Sequence, residues 1–69
     1  MSTYRTGTQY IVTQTFNGDV QREFEHRTLA AATRRVKSLS GAGEGWGVRV
    51  RSTDPSAPRE IAGFDVFRA

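Results

Sequence analysis

The stretch Thr8-Gln9-Tyr10-Ile11-Val12-Thr13-Gln14-Thr15-Phe16-Asn17-Gly18-Asp19-Val20-Gln21-Arg22-Glu23-Phe24-Glu25 decides the architecture. Its first nine residues are rich in β-branched and aromatic types, with Tyr10, Val12 and Phe16 on one alternating face and Ile11, Thr13 and Thr15 on the other. That period of two predicts a strand over 8–16. Asn17-Gly18 follows at once, and a type I′ turn needs positive φ at both central residues, which this dipeptide tolerates best. The chain should then return as a second strand over 19–25. There Val20, Arg22 and Phe24 form a mostly apolar face against a hydrated face of Gln21, Glu23 and Glu25.

Beyond the hairpin the period changes. Thr28 is placed to cap a helix over 29–40, where Leu29, Ala32, Val36 and Leu39 recur as an apolar stripe. Arg34, Lys37 and Ala30 fall opposite the stripe, with Arg35 at its margin, and Gly41 suits the left-handed residue that ends a helix. Ala42-Gly43-Glu44-Gly45 is a connector; it leads from a helix into a strand, the reverse of a phosphate-binding P-loop. A third strand is expected over 46–52, with Trp46, Val48 and Val50 inward and Gly47, Arg49 and Arg51 outward. Pro55 and Pro58 make 53–59 a loop, because proline cannot donate to a ladder. A fourth strand is expected over 60–68, with Phe64 and Val66 chosen for the core over Ile61 and Phe67.

The expected fold is therefore α+β, in the order ββαββ: a four-stranded antiparallel sheet with one helix packed on one face and strand order 2-1-3-4. Charge on the second strand and proline before the fourth suit those two to the edges. The chain reads as a single domain over 1–69, with residues 1–7 a flexible arm. The expected core is Tyr10, Val12, Phe16, Val20, Phe24, Leu29, Ala32, Val36, Leu39, Trp46, Val48, Val50, Phe64 and Val66.

Composition narrows the function. With 69 residues and 36% hydrophobic content, the chain supports one small core and leaves no room for a cleft between domains. Cysteine is absent, which removes disulfide and thiolate-metal chemistry, and the single His26 removes a paired-histidine metal site. No apolar run approaches the roughly 20 residues of a membrane span, and Met1-Ser2-Thr3-Tyr4-Arg5-Thr6-Gly7-Thr8 lacks the apolar segment of a secretory signal. A cytoplasmic protein is the expectation. The formal net charge is +3, but it is unevenly spread: residues 1–26 carry −1, residues 27–51 carry +5 and residues 52–69 carry −1.

Two basic patches follow from the pattern. Arg27, Arg34, Arg35 and Lys37 lie along the helix, and Arg49 and Arg51 project outward from the third strand, where Phe67 and Ile11 could share the face. Arginines beside an aromatic platform suit single-stranded nucleic acid, whereas the same arginines in cross-strand Arg-Glu pairs suit a solvated face. Catalysis has no such pattern. His26 adjoins Glu25, but Ser38, Ser40 and Ser52 sit in no nucleophile elbow, and Glu23 with Glu25 makes a poor cation site without further oxygen ligands. Trp46, between two glycines, reads as a core anchor rather than a ligand platform. No catalytic, cofactor-binding or metal-ligating residues are assigned.

The run Tyr10-Ile11-Val12, the polar hairpin, the helix Thr28-Leu29-Ala30-Ala31-Ala32-Thr33-Arg34-Arg35-Val36 and then Gly47-Val48-Arg49-Val50-Arg51 resembles small phage-encoded β/α proteins, including some anti-CRISPR proteins acting on type I effector complexes. The resemblance spans most of the chain and consists of size, pattern and element order. It implies a stoichiometric binder of a nucleic-acid-handling machine in a bacterial host cytoplasm, with Arg34, Arg35, Lys37, Arg49 and Arg51 as contacts. The Pro-containing loop and the N-terminal arm depart from it. The resulting expectation is a non-enzymatic binding protein, needing no cofactor and no membrane, that engages a protein or nucleoprotein complex through basic surface residues. The alternative is direct binding of nucleic acid by the helix and the third strand, and a third class is a homodimer paired through a sheet edge.

Overall fold

The computed structural model describes residues 7–68, so the arm expected over 1–7 lies, apart from Gly7, outside the described residues. The elements are β1 (Tyr10–Phe16), β2 (Asp19–His26), α1 (Leu29–Leu39), β3 (Trp46–Ser52), β4 (Glu60–Ile61) and β5 (Phe64–Arg68). They form one α+β unit, a helix on a five-stranded sheet in the order β2-β1-β3-β5-β4.

The hairpin forms as its sequence requires. Phe16 pairs with Asp19, and Asn17 and Gly18 between them take φ of 51° and 88°. The expected strand beginning at Thr8 starts at Tyr10, while β2 runs one residue further than expected and includes His26, which pairs with Tyr10. The helix is capped by Thr28, whose Oγ1 accepts from the Ala31 N–H at 3.2 Å, and it ends one residue early at Leu39. Ser40 is its C-cap, donating its N–H to the Val36 carbonyl, and Gly41 takes a φ of 78°.

Three expectations about the sheet need correction. The first concerns the last strand, which is a hairpin rather than one antiparallel strand. Ala62 and Gly63 take φ of 52° and 88° and fold Ile61 back opposite Phe64. This reversal leaves β5 parallel to β3, with Val50 beside Val66 and Arg51 beside Phe67, so the sheet has five strands and is mixed. It also resolves the ambiguity of the two faces, since Ile61 and Phe64 share one side. Ile61 is buried, against expectation, and Phe64 and Val66 pack partly buried against the core as expected. The loop before it is pinned rather than loose: the Val66 N–H donates to the Arg59 carbonyl, Arg68 Nη1 donates to the Asp54 carbonyl at 2.6 Å, and Ala57 is buried in the core.

The second correction concerns Val20. The β1–β2 register shifts between Gln14 and Thr15, so Gln14 faces Arg22 while Thr15 faces Val20. The extra residue on β2 turns Val20 onto the other side of the sheet, where it is 64% exposed. The third concerns the extent of the core. Tyr10, Val12, Ala32, Val36, Val50, Ala57 and Ile61 form the buried cluster, with Phe24, Leu39 and Val48 packed against it. These gather toward the Tyr10 end of β1, paired with Ser52 on β3, while Phe16 and Trp46 pair at the opposite end. A seven-residue strand is roughly 20 Å long, whereas an eleven-residue helix is about 16 Å long and cannot cover the whole sheet.

Phe16 and Trp46 are accordingly exposed to 37% and 41% and shield each other instead, with ring centroids 4.9 Å apart. Gly45 is the residue this end requires. Its φ is 85°, its carbonyl accepts from the Asn17 N–H, and a Cβ there would stand 2.8 Å from Asn17 Oδ1 and 3.1 Å from Phe16 Cε1. Leu29 is likewise surface-exposed rather than core, at the margin of the arc centred on Ala32 and Val36.

Candidate functional site

The sheet sorts the basic residues of the middle third onto two different surfaces. Register places Arg49 and Arg51 with Ile11, Thr13, Glu23 and Glu25 on the face that carries no helix. Arg51 Nη2 donates to Glu23 Oε2 at 3.2 Å, reaching diagonally over β1 from the strand on its other side. The aliphatic stems of such long side chains cover apolar surface while their charged ends stay wet. On this face Ile11 is fully buried, although it was expected to face outward, and Thr13 is buried with its Oγ1 unpartnered. A depression of about 290 Å³ lined by Thr13, Val20, Arg49, Arg51 and Phe67 remains on this face. Arg49, Arg51 and Phe67 do come together there, but two glutamates stand on the same face and Glu23 pairs with one of the arginines.

The helix side has the opposite electrostatics. The α1 sequence Leu29–Leu39 contains Arg34, Arg35 and Lys37 and no acidic residue. Among the described residues these three make no ion pair. Arg35 lies over the Phe24 ring, with its guanidinium carbon 4.1 Å from the ring centroid. This contact is worth roughly 0.5–1 kcal/mol at a partly exposed site, and it fixes a side chain that would otherwise be among the most mobile on the surface. Arg27 lies apart from the other three, with its guanidinium group and Cδ against Gly7, and lines neither cleft described next.

Two hollows flank Arg34. On the outer side of α1, Leu29, Ala30, Thr33, Arg34 and Lys37 line a shallow groove of about 660 Å³. On the β2 side, His26, Ala31, Arg34, Arg35 and Ser38 line a cleft of about 350 Å³. Ser38 Oγ donates to the Arg35 carbonyl at 2.8 Å. His26 Nε2 is buried and has no hydrogen-bond partner, and partial burial together with the Arg35 charge holds the imidazole below its ordinary pKa of 6.5. The sequence pattern marked Arg34, Arg35 and Lys37 and left His26 unassigned, just past the strand expected over 19–25. The signal was present in β2 itself, since His26 shares parity with Phe24 and so projects toward the helix.

The serines weighed as nucleophiles are occupied in backbone bonds. Ser40 Oγ donates to the Lys37 carbonyl, and Ser52 Oγ donates to the Gln9 carbonyl while accepting from the Asp54 N–H. Among the described residues no three of His, Asp and Glu gather closely enough to hold a metal ion, and no helix is long and apolar enough to cross a membrane. On the helix side the Phe24-held guanidinium of Arg35 and that of Arg34 line one cleft. Compared with known proteins, the chain matches no family model, no curated protein and no solved structure.

Proposed function

We propose that this chain is a small non-enzymatic binding protein that seats the basic face of α1 on a negatively charged surface of a protein or nucleoprotein complex. The observation that supports it best is the acid-free helix on which Arg34, Arg35 and Lys37 stand without ion pairs. Unpaired cations grouped on one surface steer an anionic partner and set orientation, whereas the open sheet face balances arginine against glutamate. In the inhibitor form of this reading, which the sequence resemblance implies, the partner is a nucleic-acid-handling complex of a bacterial host and the stoichiometry is fixed.

Binding of a polyanion to the double variant Arg34→Glu/Lys37→Glu and to Arg49→Glu, measured by fluorescence anisotropy, separates the two surfaces. The helix variant should lose at least about tenfold in affinity, and the wild-type interaction should weaken steeply from about 50 to about 200 mM salt. Arg49→Glu should change affinity by less than about threefold, because this side chain lies on the opposite face of the sheet. The reverse ranking would transfer the site to the sheet face, and with it direct binding of single strands through Arg49, Arg51 and Phe67. Incubation with a purified type I effector complex and native mass spectrometry tests the inhibitor form. A defined complex supports it, and unbound protein at micromolar concentration ends it.

A further inference from the structure

We infer that the cleft between α1 and the end of β2 is a phosphate site, in which Arg34 and Arg35 hold a phosphodiester of a nucleic-acid strand beside the His26 imidazole. This rests on the helix-face reading and names the group that face recognises. Two guanidinium groups and an imidazole line a single cleft with no carboxylate in its lining. Arg35 is held in place from the side by the Phe24 ring, so its N–H groups are presented without further ordering of the side chain. Ser38 has already donated its hydroxyl proton to the Arg35 carbonyl. The donors left over are the guanidinium N–H groups, which match a phosphate oxyanion.

An independent observation points the same way. His26 Nε2 is buried without a partner, so the charge state of this imidazole answers to the charges set beside it rather than to a hydrogen bond at that atom. The groups around this imidazole are Arg34 and Arg35 from α1, Tyr10 across on β1, and Glu25 and Arg27 beside it in the chain. The Glu25 side chain projects from the opposite face, where its hydroxyl neighbour is Thr8. The cationic neighbours oppose protonation in the free protein, and an oxyanion between them and His26 reverses that balance. Phosphate binding is then accompanied by proton uptake. A strand is favoured over an isolated anion because Arg34 also lines the adjoining groove, where Lys37 can meet the next phosphate and Leu29 and Ala30 offer apolar surface to the sugars and bases.

His26 is the sole histidine, so its imidazole resonances in NMR report the cleft without ambiguity. The probes are a short oligothymidylate, which does not titrate between pH 5 and pH 8, inorganic phosphate, and a short polyglutamate. Oligothymidylate should raise the His26 pKa by about one unit and bind about five- to tenfold more tightly at pH 5.5 than at pH 8. His26→Gln should abolish that pH dependence, and Arg35→Gln should weaken binding about tenfold at both pH values. A shift with oligothymidylate, whether or not inorganic phosphate also produces one, supports the site. No shift at saturation, an equal shift with polyglutamate, or retained pH dependence in His26→Gln overturns it. If the helix-face reading itself is wrong, Arg34→Glu/Lys37→Glu binds as the wild type does. If only the phosphate site is wrong, that variant loses binding while His26 never moves.

Discussion

On the helix-covered face Val12, Val50 and Val36 are fully buried by other apolar side chains, whereas on the opposite face Ile11 is equally buried although, among the described residues, no helix or strand lies over it. The first burial comes from close packing of a helix on a sheet. On the second face Arg51 and Glu23 are joined across β1 by an ion pair. The difference bears directly on function. On the sheet face Arg51 and Glu23 use their charges on each other, whereas the helix buries Ala32 and Val36 beneath it and carries Arg34, Arg35 and Lys37 without ion pairs among the described residues.

The comparison is broken most forcefully from the packed side. Val36→Ala should destabilise the fold by about 1–3 kcal/mol, since it removes two buried methyl groups and leaves a cavity that a helix on a sheet closes poorly. Urea denaturation reads this as a lower midpoint at unchanged slope. Loss of less than about 0.5 kcal/mol would mean that this face is no better packed than the other.

The open face should respond in the opposite sense to an isosteric change. Thr13→Val exchanges a buried hydroxyl with no partner for a methyl group, and it should be neutral or stabilising by up to about 1 kcal/mol. Destabilisation of more than about 1 kcal/mol would show that the hydroxyl is hydrogen-bonded in solution. On the helix surface Arg34→Ala should leave stability within about 0.5 kcal/mol, its effect appearing in polyanion binding instead. Equal destabilisation by Arg34→Ala and Val36→Ala would mean that the two sides of α1 are assigned the wrong way round.

The smallest expected effect is a pH dependence of the unliganded fold. The folded-state pKa of His26 lies below its ordinary value of 6.5, so the unfolded chain binds the proton more readily. Its contribution is complete above pH 6.5 and is lost as pH falls through the lower folded value. Asp54 acts at lower pH: the N–H and hydroxyl of Ser56 stabilise its carboxylate and hold its pKa below 3.8, so that contribution is lost only as pH falls through that range. Thermal unfolding of wild type and His26→Gln between pH 5 and pH 8 isolates the first effect. Parallel curves would show that the imidazole does not sense its cleft.

Much of the architecture was legible because it is local. Asn17-Gly18 specified its hairpin through backbone conformations those residues adopt at little cost, Thr28 and Gly41 bounded the helix, and the 3.6-residue period placed Ala32 and Val36 inward and Arg34 and Lys37 outward. The placement of β1 between β2 and β3 also followed from charge and pattern. What escaped was whatever depends on residues distant in the chain. Ala62-Gly63 reverses a strand that alternation alone reads as continuous, and the parallel pairing of β5 with β3 follows from that turn together with a loop anchored by Asp54, Arg59 and Arg68. The bulge that exposes Val20 exists only in the pairing of two strands. Alternation likewise cannot say how far a helix reaches across a sheet, and so it could not separate Val12 and Val50 from Phe16 and Trp46. The cleft is the clearest case. That His26 is the sole imidazole and that Arg34 and Arg35 are adjacent can be read along the chain, but it is the packing of α1 against β2 that lines one cavity with all three, because burial and electrostatic coupling depend on distances between elements rather than on order along the chain.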